Sequence, residues 1–557
     1  MKKFLALCLT AALFASGCIK VDNSLGEGLV DKSLLFDTYT VDFPLTEITM
    51  KLSSDLSAYS DKRLTIGAIR DETFGLTTRD AAFTLIPASD TIDLGTNPVA
   101  QSFELFFEAD SVSVAADNQE RILQNIHVYE LLDTLPSSGK PTDTEIGHGT
   151  KRITKGSPVY NGGGTLEIAF TTEFAQKYVD VLQEIGPALI NRGETETTVN
   201  KYKDFIERLP GIYVETEVPE GNGGRINMFK FASLSVVNGY YRRNNNIGIL
   251  KVKSTWDGVQ KDSSFLFVPG ETEFVDEVSY TNQNISFAQY CFNMCTHESL
   301  PQEPGGTLLV EGGGGLKPVI SGLELQRKTR EAITGMGGDP AKAAIVSASI
   351  ILPFEMPDNY LDLNYFPTIL SPTIRTTAVA KDTNEEFVTF AGLTDASVSS
   401  ENQGRIDRSN LMYAPDITYH LQEILTPGDG NSTLTQESIE KGNADIWLLT
   451  IRTEKVANAS GQTEEESAYY RNLMYASYYN SVYGGGYGYG GGYGGGYNNY
   501  YSYMMMAQML AAQNQTTYTE TAELDKDRYY KAILNGPLST GENGGPRFRV
   551  TFAIPQK

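Results

Sequence analysis

Cysteine is nearly absent from this chain: its 557 residues contain four, two of them, Cys8 and Cys18, at the extreme N-terminus. A disulfide framework therefore cannot hold the fold, which must stand on its hydrophobic core. Histidine is equally scarce. His127, His148, His297 and His420 are the whole set, and none lies in a nucleophile or metalloprotease motif. Trp256 and Trp447 are the only tryptophans. Both fall in strand-like segments rather than loops, which weakens a sugar-stacking platform. Positive charge is in deficit, with 45 Lys and Arg against 69 Asp and Glu and a formal net charge of −24. That balance excludes a phosphate-neutralising surface, and with it a nucleic-acid partner. Long apolar runs are missing too. None approaches the roughly 20 residues that a membrane-spanning helix needs.

The short apolar run at the start has another meaning. Lys2 and Lys3 form a positive n-region, Phe4 to Phe14 an apolar core, and Ala15, Ser16 and Gly17 a small-residue cleavage site before Cys18. This is the layout of a secretory signal. The Ala-Ser-Gly-Cys ending resembles the lipobox of bacterial lipoproteins, in which the cysteine thiol takes the lipid and cleavage falls just before it. Cys18 is thus expected to be a lipid attachment site and not a catalyst. Removing residues 1–17 takes away two lysines and moves the formal charge from −24 to −26. Acyl chains, each buried CH₂ adding about 0.8 kcal/mol, must then do the anchoring that electrostatics opposes.

Beyond the anchor the chain reads as mainly β. Residues 18–45 form the lipidated cysteine and a polar tether giving way to the first strands. Short alternating or apolar runs then recur between Gly, Pro, Asn and Asp: "RLTIGAIR" (63–70), "SFELFFEADSVSVA" (102–115), "NIHVYELL" (125–132), "INMFKFASLSVV" (226–237), "AAIVSASIILP" (343–353), "DIWLLTIRT" (445–453) and "RFRVTFAI" (547–554) among them. β-Branched and aromatic enrichment at period two marks strands. Their number and spacing predict a multi-domain, β-sandwich-like architecture with a few short helices. "TEFAQKYVDVLQEIG" predicts a helix with Thr172 as N-cap, burying Phe174, Tyr178, Val181 and Leu182. "TVNKYKDFIERLPG", "SGLELQRKTREAITG" and "PDITYHLQEILTPG" predict three more. The expected division is an N-terminal β-rich domain over 46–270 with two helices, and a C-terminal β-rich domain over 271–557.

Several of these stretches together resemble the DUF4270 family, Bacteroidota lipoproteins of unassigned function. The ordered set is "SLGEGL", "IGAIRDETFG", "FIERLPGIYVE", "FASLSVVNGYY", "KAAIVSASIILP" and "YYKAILNGP…PRFRVTFAI", which spans almost the whole mature chain. The resemblance implies an outer-membrane lipoprotein with β-rich domains, and supplies no catalytic residues. The sequence departs from the family's pattern in its tyrosine–glycine segment and its cysteine pair.

Two motifs invite chemistry. In "CFNMCTHE" (291–298) the residues Cys291, Cys295 and His297 are soft ligand types, but the spacing fits no standard zinc knuckle and no second cluster completes a tetrahedral site. If the stretch is helical, residues four apart stand about 6 Å apart, so a Cys291–Cys295 disulfide is the leading expectation, ahead of free thiols and of metal. "VEGGGGLKP" (310–318) shares glycines with a phosphate loop, yet Leu316 and Pro318 break the Gly-Lys-Ser/Thr pattern. It reads as a flexible turn. His127 and His420 read as structural histidines. A carboxylate-pair hydrolase needs no histidine, but no pair can be picked from 69 acidic residues, so no catalytic residue is named. No cofactor or metal is expected.

The segment "SVYGGGYGYGGGYGGGYNNYYSYMMMAQMLAAQ" (481–513) is too rich in glycine to form a core, and is expected to be a disordered low-complexity loop. Without Arg or Lys, its tyrosines lack the electrostatic partner for stacking on bases. Stacking on sugars or on a protein surface, a membrane-interface role and a tolerated insertion all remain open. Together these features predict a non-enzymatic, lipid-anchored outer-membrane protein, surface-exposed rather than periplasmic. Its expected role is that of an accessory or scaffold of cell-envelope machinery, working through protein partners. The alternative is a glycan-binding lipoprotein of a nutrient uptake system.

Overall fold

The structure, a computed structural model, describes residues 36–556 apart from 89–91, 111–113, 116–120, 188–195, 232–234, 238–239, 243–246, 271–289, 299–304, 380–383, 394, 396–403, 429–433 and 458–517. The leader, Cys18 and the tyrosine–glycine segment lie outside the described residues. The chain is mainly β, with 49% of the described residues in strand and 16% in helix. Among the described residues every strand pairing is antiparallel, and the larger sheets have four, five, six and ten strands.

Two hydrophobic cores organise these sheets. The first is drawn from residues between Leu64 and Cys291. Phe107, on the Thr96–Glu108 strand of the five-stranded sheet, meets Phe83 of the ten-stranded sheet edge-on at 5.6 Å. Phe103 of the same strand packs on Phe174 and Tyr178 of the helix Thr172–Ile185. That helix buries the predicted apolar stripe, but its cap lies one residue earlier than expected. Thr171 is extended, and its hydroxyl accepts from the Phe174 amide, which leaves Thr172 as the first helical residue. The helices Glu196–Arg208, Gly322–Gly335 and Thr418–Leu425 also fall where periodicity predicts them. The second core runs from Leu45 to Ile554, and includes Leu325 and Leu421 from the latter two helices.

Strand pairing crosses the division expected at 270/271 in both directions. Phe36–Pro44 pairs with the C-terminal strand Arg547–Pro555, and Ile48–Leu52 pairs with Leu316–Ile320. In return, Cys291–His297 joins the ten-stranded sheet beside Gly75–Phe83. Sequence periodicity reports which residues share a face; it does not report which strand lies alongside. The two cores are therefore stitched by strands from each half. Where they meet, small apolar clusters, such as Phe74 with Leu309 and Leu316, lie beside a buried polar joint.

Candidate functional site: a buried joint and an open cleft

The strand Gly75–Phe83 presents two opposite faces because successive side chains alternate. Thr77 and Arg79 point toward the second core; Thr78, Asp80 and Ala82 point the other way. The neighbouring strand Cys291–His297 is in register with it, with Thr77 opposite His297, Arg79 opposite Cys295, and Asp80 opposite Met294. Each face of this strand pair carries a distinct cluster.

The inner face forms a buried joint. Glu311, which ends the strand Thr307–Glu311, is fully buried. Its Oε1 accepts from the Thr77 hydroxyl at 2.8 Å and from the Tyr529 hydroxyl at 2.7 Å. Its Oε2 accepts from the Leu316 amide at 3.1 Å and faces His297 Nε2 at 3.2 Å. Burial alone would raise this carboxyl. The His297 contact, the Tyr529 hydroxyl and the Leu316 amide outweigh burial and hold it down at about 2. Beside it, the Lys317 ammonium donates to the carbonyls of Glu311, Gly313 (3.0 Å) and Gly315 (3.2 Å). Its complete burial pushes it down to about 7, against the attraction of Glu311. Arg79 donates to the Gly312 carbonyl at 2.7 Å, with its guanidinium over the Tyr529 ring. Asn293 bridges the Arg63 carbonyl at 2.9 Å and the Thr65 amide at 3.0 Å.

The glycine run is thus a wrapped shell around an ammonium, and its reading as a flexible turn is corrected. All four glycines are buried. A Cβ on Gly312 would stand 1.9 Å from the Arg528 carbonyl oxygen, and one on Gly314 would stand 2.3 Å from the Thr142 hydroxyl. Close approach, not mobility, requires glycine here.

The expected Cys291–Cys295 disulfide is likewise corrected. The segment is a strand, Cys291–His297, and both thiols are free and buried. Four residues of extended chain separate their Cα atoms by about 13 Å, beyond the reach of a disulfide. Cys291 contacts the Arg63 carbonyl at 3.2 Å, and burial raises both thiols, so neither is poised as a nucleophile. Among the described residues, no group of three His, Cys, Asp or Glu is arranged to hold a metal ion. His127 lies in the strand Gln124–Leu131, and His420 is buried on a helix with Nε2 3.1 Å from the Ala444 carbonyl. Trp256 and Trp447 are in strands, as the sequence suggests.

The outer face opens into a cleft of about 440 Å³, whose lining includes Asp80, Asp143, Glu145, His148, Tyr213 and Thr296. The His148 ring is stacked between Tyr213, at 4.2 Å, and Tyr129, at 4.9 Å. Asp80 receives the Tyr213 hydroxyl at 3.0 Å, its one hydrogen-bond donor among the described residues. Burial pushes its carboxyl up, the Tyr213 bond pulls it back, and the charge of Glu215 adds to the rise. The result is about 7. Neither cluster was legible as a site in the sequence, because Asp80, His148, Tyr213, Glu311 and Tyr529 are brought together only by pairing between distant strands. No family model, no curated protein and no solved structure matches this chain.

Proposed function

We propose that this chain is a non-enzymatic, lipid-anchored lipoprotein of a bacterial outer membrane, held there through Cys18 and facing the cell surface. In this reading it serves as an accessory or scaffold of envelope machinery, through contacts with protein partners. The observation that carries it is the way the fold accommodates residues 458–517. The strands on either side, Ile446–Ala457 and Tyr518–Leu524, pair with each other from Ile451 opposite Leu524 to Ala457 opposite Tyr518. The described residues flanking the insertion are thus partnered directly with each other. A tyrosine-rich sequence joining two strands that pair with each other suits contact with a partner, since tyrosine offers large contact area at low entropic loss. The lipobox-like leader and the ordered motifs resembling DUF4270 proteins support the location.

Affinity purification of the tagged, membrane-extracted protein followed by mass spectrometry tests the role. Co-purifying barrel or assembly proteins support a scaffold; a transporter accompanied by glycan-utilisation proteins overturns it. Cys18→Ala tests the anchor. The variant is expected to lose lipid labelling and to accumulate as precursor or soluble chain, and a mature acylated variant in the membrane fraction would refute the attachment site.

A further inference from the structure

We propose that the cleft on the outer face of the ten-stranded sheet is a binding site for a small organic cation carrying a primary ammonium group. Its volume, about 440 Å³, falls in the range of small-molecule sites. Three carboxylates line it, from Asp80, Asp143 and Glu145, and no Lys or Arg is among the lining residues. Asp143 and Glu145 are exposed on one side of the cleft, whereas Asp80 is half-buried and sits on the sheet itself, opposite Met294 in the neighbouring strand. Tyr213 satisfies one oxygen of Asp80 and the described protein offers no donor to the other. Such a partly desolvated carboxylate is under-compensated, and an ammonium supplies both the missing donor and the missing charge.

The walls fit the same chemistry. His148 and Tyr213 bring a stacked aromatic surface to the lining, against which a cation is favoured. Met294 and Ile146 give apolar contact for a short carbon chain. Thr296 and Thr78 are committed to each other at 2.5 Å, and the Thr142 hydroxyl donates to the Ser54 carbonyl. Hydroxyl groups in the wall are thus largely spent, which favours a charged ligand over a neutral polyol. The carboxylates do not converge as a metal cage, so their charge suits the wider footprint of an organic amine.

Calorimetric titration of the solubilised full chain, at pH 7.5 and low salt, tests this with matched probes. The pairs are 1,4-diaminobutane against 1,4-butanediol, and glucosamine against glucose. Each amine is expected to bind at least tenfold more tightly than its neutral partner. Asp80→Asn should weaken the amines by tenfold or more. Glu145→Gln, at an exposed position, should weaken them a few-fold without changing the melting temperature, and Glu437→Gln, on a remote exposed helix, should change nothing. Binding of the diol or glucose as tight as that of the amines overturns the proposal. So does absence of amine binding, or amine binding that Asp80→Asn and Glu145→Gln leave unchanged, which would reflect only the acidic net charge.

Discussion

Glu311 and Asp80 stand on opposite sides of one pair of strands, the first fully buried and the second half-buried in an open cleft, and their carboxyls shift in opposite senses. Glu311 collects two hydroxyl donors, a backbone amide and an imidazole, and is held down at about 2. Asp80 has one hydroxyl donor and an acidic neighbour, and is pushed up to about 7. Burial acts in the same direction on both. The donors decide the outcome. A carboxylate supplied with every donor it can use belongs to the architecture, whereas one left short holds interaction energy in reserve for something that arrives later.

The largest effect should follow from breaking the satisfied side. Glu311→Gln removes the charge that faces His297 and steadies Lys317, leaving buried cations uncompensated; a loss of about 3–5 kcal/mol is expected from removing one member of a buried ionic set. Urea unfolding followed by tryptophan fluorescence measures it. Lys317→Met should come next, at about 3 kcal/mol, because the carbonyls of Glu311, Gly313 and Gly315 lose a shared donor inside the protein. If either variant unfolds at the wild-type midpoint, the joint is not what holds the two cores together.

Asp80→Asn should move stability the other way, and its pH dependence carries the comparison. The folded carboxyl keeps its proton up to about 7, while the unfolded one releases it near 3.8. Between those values the native state binds more protons, so this group costs stability as pH rises through the window. Asparagine cannot ionise, yet its side-chain oxygen can still accept from Tyr213. The variant should therefore melt with the wild type at pH 4 and above it at pH 8. Glu311 has the opposite linkage. Its folded value of about 2 lies below the unfolded 4.5, so its contribution is complete above pH 4.5 and fades as the pH falls toward 2. A destabilised Asp80→Asn protein at pH 8 would erase the distinction between the two carboxylates.

Part of this was legible in the sequence, and the division has a physical basis. Period-two patterning located strands such as Arg63–Asp71 and Arg547–Pro555, and period 3.6 located the helices. The strand Cys291–His297 escaped because both of its faces are buried over Cys291–Cys295. No alternation remains to be read, and a helical spacing then looks acceptable. Lys317 and Glu311 escaped because a charged residue in a glycine-rich stretch reads as solvated; only the fold shows that three carbonyls surround the ammonium. A smaller test follows for the cysteines. Denatured mature protein, without reductant, should release two titratable thiols from Cys291 and Cys295, and the native protein should show neither within minutes. Two thiols found only after reduction would restore the disulfide.

The smallest effect is expected where neither core nor joint is touched. The register from Ile451–Leu524 to Ala457–Tyr518 shows that Ile446–Ala457 meets its partner strand directly. The strand Lys531–Asn535 then pairs with Thr307–Glu311, and Arg547–Pro555 lies between Phe36–Pro44 and Ala344–Pro353. Every strand after the insertion thus has its partner elsewhere in the described fold. Replacing Gly484–Gly496 with a short polar linker should leave the melting temperature within about 1 °C, because lengthening or shortening a long loop changes its closure entropy by only about 0.6 kcal/mol per twofold change. The same replacement should reduce recovery of the partner captured by the intact protein, if the tyrosines are its contact. A fall of several degrees would mean that the segment packs on the fold, and the hairpin would then be an incomplete edge. Unchanged melting with unchanged capture would remove the tyrosines from the scaffold's contact surface and leave that role to the described loops.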